Sequence, residues 1–376
     1  MVTRTRALQE AGQSLWLDNI QRRELHNGSL QKMIDQDGIC GVTSNPTIFM
    51  NAVTKSRDYD GQIAELFRQG KSSLDIYHAI TIDDIRSAAE LFLPVFEATD
   101  HTDGFVSIEL NPQHAFRIEQ SVKEAQQIVA EIGLPNIMVK VPGTAEGITV
   151  VGRLVAEGLN VNITLLFSPD RYRQVAETYL DAIEQRAGMG KDISDIHSVA
   201  SFFISRIDTK VDRCVDDIAA RDPSARDSVA ALRGQSAVQV AKVTYGLFKE
   251  LFLSSRFQLL QEKGARIQRV LWASTGTKDP SYSDVKYVES LIGPQTVNTL
   301  PPKTIDAFRD HGVVGNTLQE GLESAPALLE QFGKYGIDLN MIFDQLQQEG
   351  VKAFEISYLD LLRAIEEKGS ALLNAG

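Results

Sequence analysis

A chain of 376 residues, 43% hydrophobic and with ordinary charge content, can bury a large core as one domain or two and is not a disordered polymer. Its formal net charge of −12 argues against nucleic-acid binding and repels anions at long range, so a phosphate ligand would need local cations. Two distant cysteines, Cys40 and Cys214, exclude a disulfide framework, and no stretch has the length and apolarity of a signal core or membrane span; a cytoplasmic location is the expectation.

Short β-like runs recur with helix-patterned or polar segments between them, the signature of parallel βα units. They fall at 14–20, 39–45, 105–110, 137–141, 161–167, 199–204, 270–274 and 296–300. Eight is the number that closes a (β/α)8 TIM barrel, and α/β is the expected class. Intervening helices are expected over 81–96 and over 111–132, the latter with Pro112 just inside its start and Gly133 at its end. Another opens at Ser168-Pro169-Asp170 and runs through Tyr179. A long, charged, helix-rich insertion spans about 208–268, with a break near 221–224, and a helical tail covers about 304–376. No repeat or Pro/Ser-rich linker divides the chain, so both are read as decorations on a single barrel domain.

The fourth run, Asn136-Ile137-Met138-Val139-Lys140-Val141-Pro142-Gly143, places an amine in an apolar strand. A buried lysine is costly, and withdrawal from water favours the neutral amine that attacks a carbonyl to form a Schiff base. Snorkelling from a strand end is the alternative. Alternation along a strand decides which residues share a face. Lys140 shares one with Met138, opposite Ile137, Val139 and Val141. Neighbouring runs repeat the arrangement: Ser107 and Glu109 oppose Val106 and Ile108; Asn162 and Thr164 oppose Val161 and Ile163; Ser201 and Phe203 oppose Phe202 and Ile204. Asp18 opposes Leu15 and Leu17, and Gly41, Thr43 and Asn45 oppose Val42. Singly each of these residues could serve a turn or cap. Their shared parity over six strands points to a polar floor around one lysine.

Several blocks resemble the transaldolases, in particular their longer bacterial type, over most of the chain. They are Leu17-Asp18-Asn19, Gly41-Val42-Thr43-Ser44-Asn45-Pro46-Thr47-Ile48-Phe49, Ser107-Ile108-Glu109, Val139-Lys140-Val141-Pro142, Asn160-Val161-Asn162-Ile163-Thr164-Leu165-Leu166-Phe167, Ser201-Phe202-Phe203-Ile204-Ser205-Arg206 and Trp272-Ala273-Ser274-Thr275. The Thr-Ser-Asn-Pro-Thr and Asn-Ile-Thr-Leu-Leu-Phe blocks are specific as an ordered pair. The resemblance implies that Lys140 is the Schiff-base lysine, Asp18 the acid/base for carbon–carbon cleavage, and Glu109 with Thr164 the pair that activates the catalytic water. Asn45, Asn162 and Ser201 are candidates for holding dihydroxyacetone hydroxyls, with Thr43 and Phe203 shaping the site.

For phosphate, Arg206 offers an always-charged donor fork, and the loop Ser274-Thr275-Gly276-Thr277-Lys278 adds hydroxyls and a cation. A surface ion pair for Arg206 and a solvated loop position for Lys278 are the alternatives. Shorter members carry Ala-Ser-Phe-Arg where this chain has Ala273-Ser274-Thr275-Gly276, so Lys278 is expected to take over that arginine's charge by proximity. No cofactor is expected, because the lysine itself is the electron sink. His26, His78, His101, His114, His197 and His311 show no metal-ligand spacing, and Gly143-Thr144-Ala145-Glu146-Gly147 is no dinucleotide fingerprint. The expected activity is transfer of a dihydroxyacetone unit between sugar phosphates in the nonoxidative pentose phosphate pathway. A fructose 6-phosphate aldolase on the same barrel, or a silent sugar-phosphate-binding barrel, is the alternative. No nucleic-acid or membrane partner is expected; the insertion and tail could cover the barrel mouth, brace the barrel or form an interface, leaving a homo-oligomer open.

Overall fold

Eight parallel strands close on themselves in chain order: β1 (Gln13–Leu17), β2 (Gly41–Thr43), β3 (Phe105–Glu109), β4 (Ile137–Pro142), β5 (Val161–Leu166), β6 (Ser198–Phe203), β7 (Gln268–Ala273) and β8 (Thr296–Leu300). β8 pairs with β1, which completes a (β/α)8 barrel in a computed structural model that describes residues 3–374. All eight expected strands are present. The first two are shorter than their apolar runs: Asp18 follows the end of β1, and Asn45 caps the helix Pro46–Lys55. Branched aliphatic residues such as Val139, Val141, Val161 and Ile163 are buried on the helix-facing side.

Helix starts depart more from expectation. The helix expected from residue 81 begins at Ser73, because Ser72 and Asp75 form a reciprocal capping box eight residues upstream. The helix expected from residue 111 begins at Ile118; Pro112 instead opens a 3-10 turn, Pro112–His114, whose entry Asn111 caps. Its end is as expected, with Gly133 left-handed at φ 71°. The helix capped by Ser168 runs past Tyr179 to Gly188. Between β6 and β7 lie the helices Ser205–Arg221, Arg226–Ala230, Ser236–Phe252 and Ser255–Gln261. After β8 come Pro302–His311, Ala325–Lys334 and a 36-residue helix, Leu339–Asn374. That last helix packs along Pro46–Lys55, Asp60–Arg68 and Ser73–Ala98 and passes over the carboxyl ends of the strands near β5.

Hydrogen bonds that skip a strand show which side chains point inward. Ser107 on β3 accepts from Asn162 on β5 at 3.0 Å, and Thr43 on β2 meets Thr299 on β8 at 2.7 Å. Neither pair could meet across an intervening strand except through the interior. At the opposite, amino end, Arg269 donates to Ser14 and bonds Asp103, and the Trp16 indole donates to Asp103. This buried polar plug fills the floor of the barrel.

Candidate active site

Register places the key side chains side by side. Glu109 on β3, Lys140 on β4 and Asn162 on β5 are successive partners across the ladder, so they form one row around the interior. Lys140 is 5% exposed and Glu109 8%. The Lys140 ammonium donates to the Ser44 carbonyl at 3.0 Å, across β3, and lies 3.1 Å from Glu109 Oε2. That second contact is an ion pair by distance but poorly aligned for a hydrogen bond, and Glu109 Oε2 accepts none among the described residues. Burial pushes the Glu109 carboxyl up from its ordinary range, Lys140 opposes the shift, and Asp18 adds to it.

Asp18, just past β1, accepts from the Thr43 hydroxyl at 2.8 Å. Its side chain retains some exposure, but only to the cavity; the surrounding protein still removes bulk water and raises its pKa. Lys140, Thr43, Lys278 and Arg206 oppose that rise. Thr164 is fully buried and its hydroxyl has no hydrogen-bond partner among the described residues. The next residue, Leu165, is held left-handed at φ 59°, and the β5–β6 register shifts there. A bulky non-glycine residue rarely adopts such a conformation, so the surrounding packing must impose it.

Asn162, in the same row, donates to Ser107 and accepts from Ser201 at 2.6 Å. Asn45 Oδ1 caps its helix by accepting from Ile48 N, and among the described residues the Asn45 amide nitrogen has no partner and is free to face the cavity. Arg206 stands in the first turn of helix Ser205–Arg221 with its guanidinium 5.1 Å over the Phe203 ring. Burial pulls its pKa down, with Asp18 and Glu349 opposing; among the described residues it has no carboxylate in ion-pair range. Such a cation is stabilised by an incoming anion. Ser274 follows β7 with φ 55° and shares a hydroxyl contact with Ser205 at 3.0 Å. Thr275 turns away and bonds Asn298.

A cavity of about 280 Å³ opens at the carboxyl ends of the strands. It gathers Asp18, Thr43, Asn45, Lys140, Thr164, Ser201, Phe203, Arg206, Ser274 and the exposed Lys278. Glu109 and Asn162 do not line it: Glu109 stands behind Lys140 against a separate small void, and Asn162 lies within the floor. The sequence reading missed Phe354, which the last helix inserts into the wall, along with Ile48, Thr299 and Pro301. Ile48 was visible within the Asn-Pro-Thr-Ile block; nothing local marks Phe354. A larger cavity, about 620 Å³, lies at the amino end around Arg269 and Asp103. It holds no lysine, and barrel chemistry gathers at the other face.

A buried amine with a carboxylate on either side, set in the carboxyl-end mouth of a closed barrel, defines an enzyme of the Schiff-base aldol class. The comparisons narrow the class. The chain belongs to the Transaldolase/Fructose-6-phosphate aldolase family, whose model matches residues 15–365. It is 44% identical to the transaldolase of Mycobacterium tuberculosis H37Rv over 359 residues, 95% of each chain. It is 42% identical to the transaldolase of Trichodesmium erythraeum and 43% to transaldolase 2 of a Nostoc species, with 96% of each chain covered in both.

Proposed function

We propose that this chain transfers a dihydroxyacetone unit from a ketose phosphate, sedoheptulose 7-phosphate or fructose 6-phosphate, to glyceraldehyde 3-phosphate or erythrose 4-phosphate. The observation that carries the reading is Lys140: a nearly inaccessible amine 3.1 Å from a carboxylate and facing a second carboxylate across a sugar-sized cavity. Glu109, its pKa raised by burial, takes up the proton that frees the amine. Neutral Lys140 attacks the C2 carbonyl, and the carbinolamine loses water to become an iminium. Glu109 and the unpartnered Thr164 hydroxyl are suited to relay those protons through a shared water.

Asp18 removes the C4 hydroxyl proton. The C3–C4 bond breaks, its electrons pass to the iminium nitrogen, and an aldose phosphate leaves. The remaining enamine attacks the acceptor aldehyde, Asp18 returns its proton to the new alkoxide, and hydrolysis of the iminium releases the product. Asn45 and Ser201 fix the three-carbon unit, Asn162 orients Ser201 from the floor, Thr43 orients Asp18, and Phe203 supports Arg206. Arg206, Ser274 and Lys278 hold the phosphate. The helices after β6 and β8 are parts of one barrel domain. We place the chain in the cytoplasm, with no nucleic-acid partner and no cofactor in the reaction; among the described residues no helix is long and apolar enough to cross a membrane.

The competing reading is release of the unit as free dihydroxyacetone. Fructose 6-phosphate is supplied with and without erythrose 4-phosphate. Sedoheptulose 7-phosphate formed only with the acceptor, and little free dihydroxyacetone without it, supports transfer; comparable dihydroxyacetone in both reactions overturns it.

A further inference from the structure

Three side chains at the amino end of the barrel, opposite the active-site mouth, have no part in the reaction above. His101 precedes β3, and Asp195 and His197 precede β6. One ring nitrogen from each histidine and one Asp195 carboxylate oxygen lie within 4.8 Å of one another. His101 Nδ1 is 2.9 Å from Asp195 Oδ1, and its ring stacks on Phe96 with centroids 4.2 Å apart, which fixes its orientation. His197 is 6% exposed, and its Nε2 is buried with no hydrogen-bond partner among the described residues. A buried ring nitrogen left unpaired is unusual and calls for a partner that is not a protein group.

We propose that His101, Asp195 and His197 form a binding site for a divalent first-row transition ion, with zinc the best match. Two imidazoles and one carboxylate are the donor types that borderline ions such as zinc, cobalt and nickel prefer, with water completing the set. Glu97, 3.7 Å from His101, and Asp195 supply negative charge at the rim, and Arg266 and Arg269, which oppose a cation at His197, are each paired with a carboxylate, Asp100 and Asp103. His101 and Asp195 are 94 residues apart in the chain, so only the closed barrel brings the set together. A bound ion would tie the segment entering β3 to the segment entering β6 and brace the end of the barrel away from the chemistry.

The test uses the full chain, stripped with a chelator and titrated with Co²⁺ under visible absorption and with Zn²⁺ under calorimetry. The parent protein is expected to bind one equivalent of each. His101→Ala, Asp195→Asn and His197→Gln should each weaken binding by roughly tenfold or more while leaving fructose 6-phosphate cleavage intact. His101 and Asp195 sit at the rim, so those two variants keep the test decisive should His197→Gln fail to fold. Absence of binding by the folded parent, or equal binding by His101→Ala and Asp195→Asn, overturns the proposal.

Discussion

Asp18 sets the working pH of the proposed chemistry. It must be ionised to take the C4 proton, and its pKa is raised mainly by burial. The ionised fraction therefore starts to fall at a higher pH than for an ordinary aspartate near 4. The rate profile of kcat/KM for fructose 6-phosphate is expected to decline on acidification above that range; a profile flat down to about pH 4 would contradict it. Asp18→Asn should lower kcat by roughly 10²–10⁴. The same substitution has a stability signature. For an acid whose folded pKa is raised, ionisation opposes folding; that cost is absent below the unfolded pKa and complete above the folded one. Asp18→Asn is accordingly expected to melt higher than the parent at pH 7, with the difference fading as the pH approaches 3.5. Gly41 makes a separate case: a Cβ there would fall 2.6 Å from the Trp16 indole. Gly41→Ala is expected to cost about 1–3 kcal/mol in denaturant unfolding.

At the scale of elements, strand alternation carried most of the site into view. Period-two patterning is local, so the inward row of Glu109, Lys140 and Asn162 and the inward hydroxyls of Thr43, Thr164 and Ser201 could be read before any pairing was known. The helix starts at Ser73 and Ile118 were less legible, because caps compete with turns for the same Ser, Asp and Asn residues. A helical tail able to cover the mouth was legible, but the contacts it makes were not, since nothing near residue 350 signals contact with a strand almost 200 residues earlier. Gln347 donates to the carbonyls of Gly143, at 2.8 Å, and Leu165, at 3.3 Å, while Gly350 lies so close to Leu165 that a Cβ would fall 2.8 Å from its side chain. These contacts press on the left-handed residue beside Thr164. Gly143 N in turn donates to the Thr164 carbonyl at 2.8 Å. Gln347→Ala is therefore expected to lower kcat roughly fivefold, the worth of about 1 kcal/mol, with KM little changed. An unchanged kcat would reduce the helix to a cover.

At the scale of the whole molecule the barrel divides the labour between its ends. The amino end carries the Arg269–Asp103–Ser14 cluster, and the carboxyl end holds the cavity that contains Lys140. With a net charge of −12, the proposed phosphate site depends on the cations at that mouth: in this reading Arg206 and Lys278 draw the phosphate against the long-range field. The eightfold rhythm was readable because βα units repeat along the chain. The exact phosphate geometry was not, because Lys278 reaches the mouth from a loop with no arginine at the position shorter relatives use.

The central claim is that Lys140 carries the three-carbon unit. The most direct measurement is incubation with fructose 6-phosphate, borohydride reduction and peptide mass spectrometry, with Lys140→Ala as control. A reduced three-carbon adduct on the peptide containing Lys140, absent from the variant, is the expected result. A folded parent protein with no adduct, or an adduct on another lysine that persists in Lys140→Ala, would contradict the account.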